Sequence, residues 1–91
     1  MKFEGIYNYY ERMVYEAIAK LLQKQSDTYD EDDAQDIACI ALNQLPARYV
    51  RHSVDTAFYI EDEEKNRMRD AVDAAVQTAF ERVKNNPGTP D

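Results

Sequence analysis

Apolar residues recur at helical spacing in three stretches of the chain. Over residues 6–25 they form one stripe of a helix: Ile6, Tyr10, Met13, Val14, Ala17 and Leu21. Over residues 33–44 they cover an arc of roughly 200°, which is wider than a surface helix needs. Over residues 61–84 a narrower stripe contains Met68, Val72, Val76, Ala79 and Val83. The pattern predicts three helices, with the second in the centre and contacted on several sides.

The end of the second helix is marked by a proline. Pro46 has no backbone N–H and disfavours helical geometry at Leu45, so the helix is expected to end there. Residues 47–60, ARYVRHSVDTAFYI, contain two runs of strand-like composition, 48–50 and 56–60, but neither alternates cleanly. Two short segments do not make an independently stable sheet. We therefore expect an extended, packed connector, and connectors of this length tend to be functional.

An acidic stretch, Ser26–Asp32, lies before the second helix. Its carboxylates suit the start of a helix, where they accept from free backbone N–H groups; the candidate caps are Asp30, Asp32 and Asp33. A site for a hard cation such as calcium is the alternative, built from Asp30, Asp32 and Asp36. That stretch lacks the glycine and the terminal glutamate of an EF-hand loop, so capping is the favoured interpretation and no metal or cofactor is predicted.

The composition fits one small helical domain. The chain has 91 residues, of which 44% are hydrophobic and 32% charged, too apolar for a disordered chain. We expect an all-α domain over residues 1–86 and a flexible tail over residues 87–91. A core this small gains from a partner subunit, which favours a homodimer. The stripe of the third helix suits either the core of one chain or a contact with a second copy.

The charge of the chain limits its partners. A net charge of −7 argues against general DNA or RNA binding and against anionic membrane surfaces. No stretch approaches the roughly 20 apolar residues of a membrane span, and no targeting segment is visible, so a cytoplasmic location is expected.

Cys39 is the only cysteine, so it has no cysteine partner within the chain, and we expect it to be a small buried residue.

The densest basic run in this acidic chain follows Pro46: Arg48, Tyr49, Arg51 and His52. Arginine suits bidentate contact with phosphate, and a tyrosine can stack on a base. Asp36 and Asn43, on the polar side of the second helix, are further candidate ligand contacts. The alternative is structural: Arg48 or Arg51 pairs with Asp33 or Asp36, and Tyr49 is core. With one histidine and no glycine-rich loop, no catalytic constellation is visible, and an enzyme is not expected.

The second helix and its exit resemble the ComFB family of late competence development proteins. The family pattern has the form D-I/V-x-A-L-A-L-N-x-L-P-P-x-Y-V, and the residues that match it are Asp36-Ile37, Ala41-Leu42-Asn43, Leu45-Pro46 and Arg48-Tyr49-Val50. Asn8-Tyr9-Tyr10-Glu11 and Asn86-Pro87 extend the resemblance over most of the chain. The resemblance implies a small, helical, cytoplasmic and dimeric regulatory protein, and some members are receptors for cyclic dinucleotides such as cyclic di-GMP.

The chain departs from the family at one place. Many relatives carry a C-x-C-x-x-C cluster that can hold zinc, and the corresponding positions here are Thr28, Asp30 and Asp33. Carboxylates without Cys or His make a structural zinc site improbable. We expect capping and turn hydrogen bonds to stabilise the acidic loop instead. Two functions remain open: a cyclic-dinucleotide receptor, or a ligand-free dimeric module that recruits a protein partner in competence or motility regulation.

Overall fold

A computed structural model describes residues 1–25, 29–51 and 60–85. Three helices contain most of these residues: α1 (Tyr10–Gln23), α2 (Glu31–Gln44) and α3 (Asp62–Asn85). Two short strands, β1 (Ile6–Asn8) and β2 (Tyr49–Arg51), pair in antiparallel orientation. The predicted three-helix architecture is confirmed, with a small two-stranded sheet added to it.

The helix directions follow from contacts at the two ends of the bundle. Asn8, just before α1, accepts a hydrogen bond from the Arg48 backbone N–H, and Arg48 contacts Glu64 in the first turn of α3. At the opposite end the rings of Tyr29 and Phe80 lie 5.5 Å apart. Helices α1 and α3 therefore run in the same direction, and α2 runs antiparallel to both. We call the end that carries β1, β2 and the starts of α1 and α3 the sheet end.

The core lies where the three helices meet, and each helix contributes fully buried residues to it. Ile37 and Ala41 of α2 are 0% exposed, as is Val14 of α1. From α3 the core receives Met68, Val72, Val76, Ala79, Phe80 and Val83. Helix α2 packs against both of the other helices, as its wide apolar arc predicts, but α1 and α3 also pack against each other, so each helix contacts the other two.

The two ends of α2 are set by residues that the sequence analysis identified, Asp30 and Asp33 at the start and Pro46 after the end. The Asp30 side chain accepts from the Asp33 backbone N–H at 2.8 Å, and the Asp33 carboxylate accepts from the Asp30 N–H at 3.4 Å. This reciprocal capping box starts the helix at Glu31, two residues earlier than predicted, and confirms that capping bonds stabilise the acidic loop. At the other end Leu45 adopts the extended backbone that a following proline favours.

The prediction that the first helix begins at residue 6 is wrong. Residues 6–8 form strand β1, with Ile6 opposite Arg51 and Asn8 opposite Tyr49. The apolar spacing of helix α1 continued through these residues by coincidence. A strand of three residues is too short to show the two-residue alternation that would have identified it. Residues 49–51 of the expected connector form strand β2, and the partner strand β1 comes from before α1.

The prediction that Cys39 is buried is also wrong, because its thiol is exposed. The buried residues of α2 fill an arc that Cys39 falls outside, on the same side as Asp36 and Asn43. Several sequence-based predictions fall outside the described residues: His52, the second half of the connector, Thr28, Asn86-Pro87 and the tail at residues 87–91.

Candidate ligand-binding site

A single asparagine holds β2 against the start of α1. The Asn8 Oδ1 atom accepts from the Arg48 backbone N–H at 3.0 Å and from the Tyr10 backbone N–H at 3.2 Å. The Tyr9 backbone N–H donates to the Arg48 carbonyl at 2.7 Å. The residue at the N-cap position of α1, Tyr9, makes no side-chain cap bond, so Asn8 supplies the acceptor that the first turn needs.

The three residues of β2 alternate in exposure as a strand on a surface does. Val50 is buried, whereas Tyr49 and Arg51 on the opposite face are exposed, Tyr49 to 67%. Ile6 and Asn8 of β1 share that outer face. Tyr49 is therefore not part of the core, which excludes the alternative that this tyrosine packs inside the fold.

Arg48 forms an ion pair with a residue that the sequence did not suggest. Its Nη2 atom lies 3.4 Å from Glu64 Oε1 of α3, and the two side chains are 47% and 37% exposed. The expected partners, Asp33 and Asp36, lie on α2. An exposed pair of this kind contributes about 0–1 kcal/mol to the stability of the fold, so little free energy is lost when it opens. Arg51 is exposed and also takes part in an interaction.

The two α2 residues of the predicted site lie at different heights on that helix. Asn43 is exposed next to the end of α2, and that end leads through Pro46 into β2. Asp36 lies two helical turns earlier, about 10 Å from Asn43 along the axis. The structure therefore gathers Arg48, Tyr49, Arg51 and Asn43 at the sheet end and leaves Asp36 nearer the middle of the bundle.

In the described part of the chain, two of the surface grooves border α1, and the predicted site residues line neither of these two. One, of about 560 Å³, lies between α1 and α3 over Ala17, Leu21, Val72 and Val76. The other, of about 730 Å³, lies beside β1 and is lined by Tyr7, Tyr9, Met13 and Tyr15 together with three charged residues. We call the second the tyrosine groove. The closely spaced tyrosines before residue 16 are the feature of the sequence that could have indicated the tyrosine groove.

The acidic residues of the loop are used for structure. Asp30 and Asp33 cap α2 through each other's backbone, and within residues 1–25, 29–51 and 60–85 no three His, Cys, Asp or Glu side chains gather into a metal site. In the same residues, none of the helices is long and apolar enough to cross a membrane.

The fold and its exposed strand define a small three-helix domain whose distinctive surface is an arginine- and tyrosine-bearing edge. The chain belongs to the family of the late competence development protein ComFB, whose family model matches residues 7–87. That range contains all three helices and β2, and membership implies a competence-related regulatory role. No curated protein matches the chain. Two segments of the resemblance, Asn8-Tyr9-Tyr10 and Arg48-Tyr49-Val50, meet in space at the Asn8 hydrogen bonds.

Proposed function

We propose that the chain is a regulatory receptor that binds a cyclic dinucleotide of the cyclic di-GMP type at the outer face of β2. The observation that carries the proposal is the 67% exposure of Tyr49 on a strand that Asn8 anchors, between Arg48 and Arg51. A large aromatic side chain held at the surface between two arginines has the chemistry to stack on a base and bind phosphate. The proposal includes no catalytic step.

The roles of the residues follow from their positions. Arg51 lies on the same face of β2 as Tyr49, because residues 49 and 51 alternate with buried Val50. Its guanidinium is the proposed phosphate contact on that face. Arg48 becomes a second contact when the ligand displaces Glu64 from the 3.4 Å ion pair. Asn43, at the end of α2, is the proposed contact to a base edge, and the proposal assigns no contact to Asp36, which lies about 10 Å from Asn43 along the helix axis.

Titration calorimetry of the purified protein with cyclic di-GMP and with cyclic di-AMP tests the proposal. We expect heat of binding with at least one of them, weakened as salt increases because ion contacts are screened. The absence of heat with both at tens of micromolar would contradict the proposal.

The Arg51→Ala variant locates the site. Arg51 is exposed, so the variant should keep the helical circular dichroism and the melting temperature of the parent while losing binding at least tenfold, about 1.4 kcal/mol. Arg82→Ala is the matched control, because Arg82 is an exposed arginine near the opposite end of α3. Equal loss in both variants would indicate a general charge effect, and unchanged binding in Arg51→Ala would exclude the β2 site.

A second candidate function, a ligand-free module that binds a protein, is favoured by another observation. The large hydrophobic residues that are exposed within the described part of the chain all lie at or next to the sheet end: Met1, Phe3, Ile6, Tyr15 and Tyr49. Aromatic residues and arginine are enriched at protein interfaces. A chain that binds neither dinucleotide, yet binds a competence or motility protein through this end, would support the second function over the first.

A further inference from the structure

The segment before β1 exposes apolar side chains that the described structure leaves uncovered. Phe3 is 65% exposed, and Met1 and Ile6 are exposed as well. The Ile6 backbone N–H donates to the Phe3 carbonyl at 3.1 Å, so a tight turn directs the segment away from β1. Exposed aromatic and aliphatic residues that lie close together are typical of an interaction surface.

The tyrosine groove lies at the same end of the molecule. Tyr7 comes from β1, and Tyr9, Met13 and Tyr15 come from the first turns of α1. Tyr15 is 53% exposed, which leaves most of one ring face available to a partner. A concave surface of about 730 Å³ lined by three tyrosines and a methionine suits an apolar side chain such as phenylalanine.

The charges of the segment and of the groove are complementary. The segment alternates apolar and charged residues, with Lys2 and Glu4 on either side of Phe3. The groove carries two acidic residues and one basic residue, Glu11, Glu16 and Arg12. A segment that places Phe3 among the tyrosines can pair Lys2 with a glutamate and Glu4 with Arg12, which would fix its position in the groove.

We propose that residues Met1–Glu4 of one chain occupy the tyrosine groove of a second copy, in a reciprocal exchange across a two-fold axis. The turn between Phe3 and Ile6 leaves the segment of the same chain exposed and not in its own groove. Segment and groove are separated only by β1, so one two-fold axis beside β1 places both segments on both grooves. The exchange is independent of the cyclic-dinucleotide proposal, since it uses neither Arg48 nor Arg51.

Disulfide formation between two different variants tests the geometry. One chain carries Lys2→Cys and the other Glu16→Cys, both with Cys39→Ser because Cys39 is exposed. We expect mild oxidation to join the two chains efficiently, since the proposed contact brings these positions together. Replacing Lys2→Cys with Lys84→Cys, near the end of α3, is the matched control and should give little product. Equal yields in both mixtures would overturn the proposal.

Placing both cysteines in one chain distinguishes a segment that occupies the groove of a second copy from a segment that occupies the groove of its own chain. An intrachain disulfide in a monomeric protein would assign the segment to its own groove and overturn the exchange. Light scattering after size-exclusion chromatography gives the oligomeric state. We expect twice the 10.6 kDa chain mass for the parent and a single chain mass for Phe3→Asp.

A pair of charge-reversal variants provides the remaining control. Glu4→Lys and Arg12→Glu should each shift the protein toward the monomer by weakening the dimer at least tenfold, and the double variant should restore the dimer. A parent that is monomeric up to submillimolar concentration would overturn the proposal and leave the groove to another partner. A dimer that persists in Phe3→Asp would also overturn it, because the interface would then lie elsewhere. Unchanged circular dichroism in Phe3→Asp confirms that the variant is folded.

Discussion

Asn8 connects two parts of the chain that lie 40 residues apart. Its side-chain oxygen accepts from the backbone of Arg48 and of Tyr10, and so joins β2 to the first turn of α1. An asparagine carboxamide oxygen has two lone pairs, so one side chain can serve two donors. This residue therefore sets the position of the strand that carries Tyr49 and Arg51.

Replacing Asn8 should destabilise the protein measurably. Asn8→Ala leaves two backbone donors without their acceptor, and we expect a loss of about 1–2 kcal/mol in the free energy of unfolding. Urea denaturation followed by circular dichroism measures it. Asn8→Asp keeps the acceptor oxygen and should recover most of the loss. Asn85→Ala, an exposed asparagine at the end of α3, is the control. Equal stability of the Asn8→Ala and Asn85→Ala variants would show that the Asn8 hydrogen bonds contribute nothing.

If the proposed ligand binds beside β2, Glu64 competes with it for Arg48. Glu64→Gln removes the negative charge 3.4 Å from the guanidinium, and an exposed pair is worth up to about 1 kcal/mol, so affinity for a cyclic dinucleotide should rise up to about fivefold. Calorimetry measures the change. Glu63→Gln removes the same charge from the neighbouring position and is the control. An identical gain in both variants would mean that net charge, and not the ion pair, sets the affinity.

At the scale of elements, the three helices all contact one another, and α2 leads from the bundle into β2. Its deeply buried residues come from the middle of the helix, and its ends are held by the Asp30–Asp33 capping box and by Pro46. The polar side that remains bears Asp36, Cys39 and Asn43. Helix α2 therefore positions the exit toward β2 without contributing most of the proposed site.

Two substitutions at α2 should destabilise the fold to different extents, because the side chains that they remove differ in burial. Ile37→Ala removes a side chain that is 0% exposed and should destabilise the fold by about 2–5 kcal/mol. Leu45→Ala removes one that is only partly buried at the end of the helix, and about 1–2 kcal/mol is expected. Thermal and urea unfolding compare the two. A larger effect of Leu45→Ala would mean that the helix exit, and not its middle, is the centre of the core.

The whole molecule is asymmetric along the bundle axis. In the described part of the chain, its exposed large hydrophobic residues lie at the sheet end together with Arg48 and Arg51, whereas both ends carry an acidic helix start, that of α3 at the sheet end and that of α2 at the other. Interaction through the sheet end is the common element of the receptor, the protein-binding module and the segment exchange. The three differ in which residues take part.

Self-association should be visible in thermal stability. If two chains exchange their leading segments, the melting temperature of the parent should rise with protein concentration, because mass action favours the folded dimer. Phe3→Asp should abolish that dependence. Differential scanning calorimetry over a hundredfold range of concentration measures both, and a melting temperature that is independent of concentration in the parent would contradict the exchange.

The sequence by itself determined the features that depend on local spacing and on single residues. The apolar periods placed α2 and α3 to within two residues, Pro46 ended α2, and Asp30 and Asp33 capped it. Each of these effects acts within a few residues along the chain. The basic and aromatic run at Arg48–Arg51 was likewise visible as composition, and the structure adds that Tyr49 is exposed.

Only the tertiary structure decided the contacts between distant residues. It paired β1 with β2, brought Asn8 to Arg48 and placed Glu64 beside that arginine. It also separated Asp36 from the sheet end, turned Cys39 to the surface and formed the tyrosine groove beside β1. A strand of three residues has no readable period, and an ion pair between α3 and the exit of α2 depends on how the helices pack. The physical reason is that these contacts are set by the direction and packing of whole elements, which local sequence patterns do not encode.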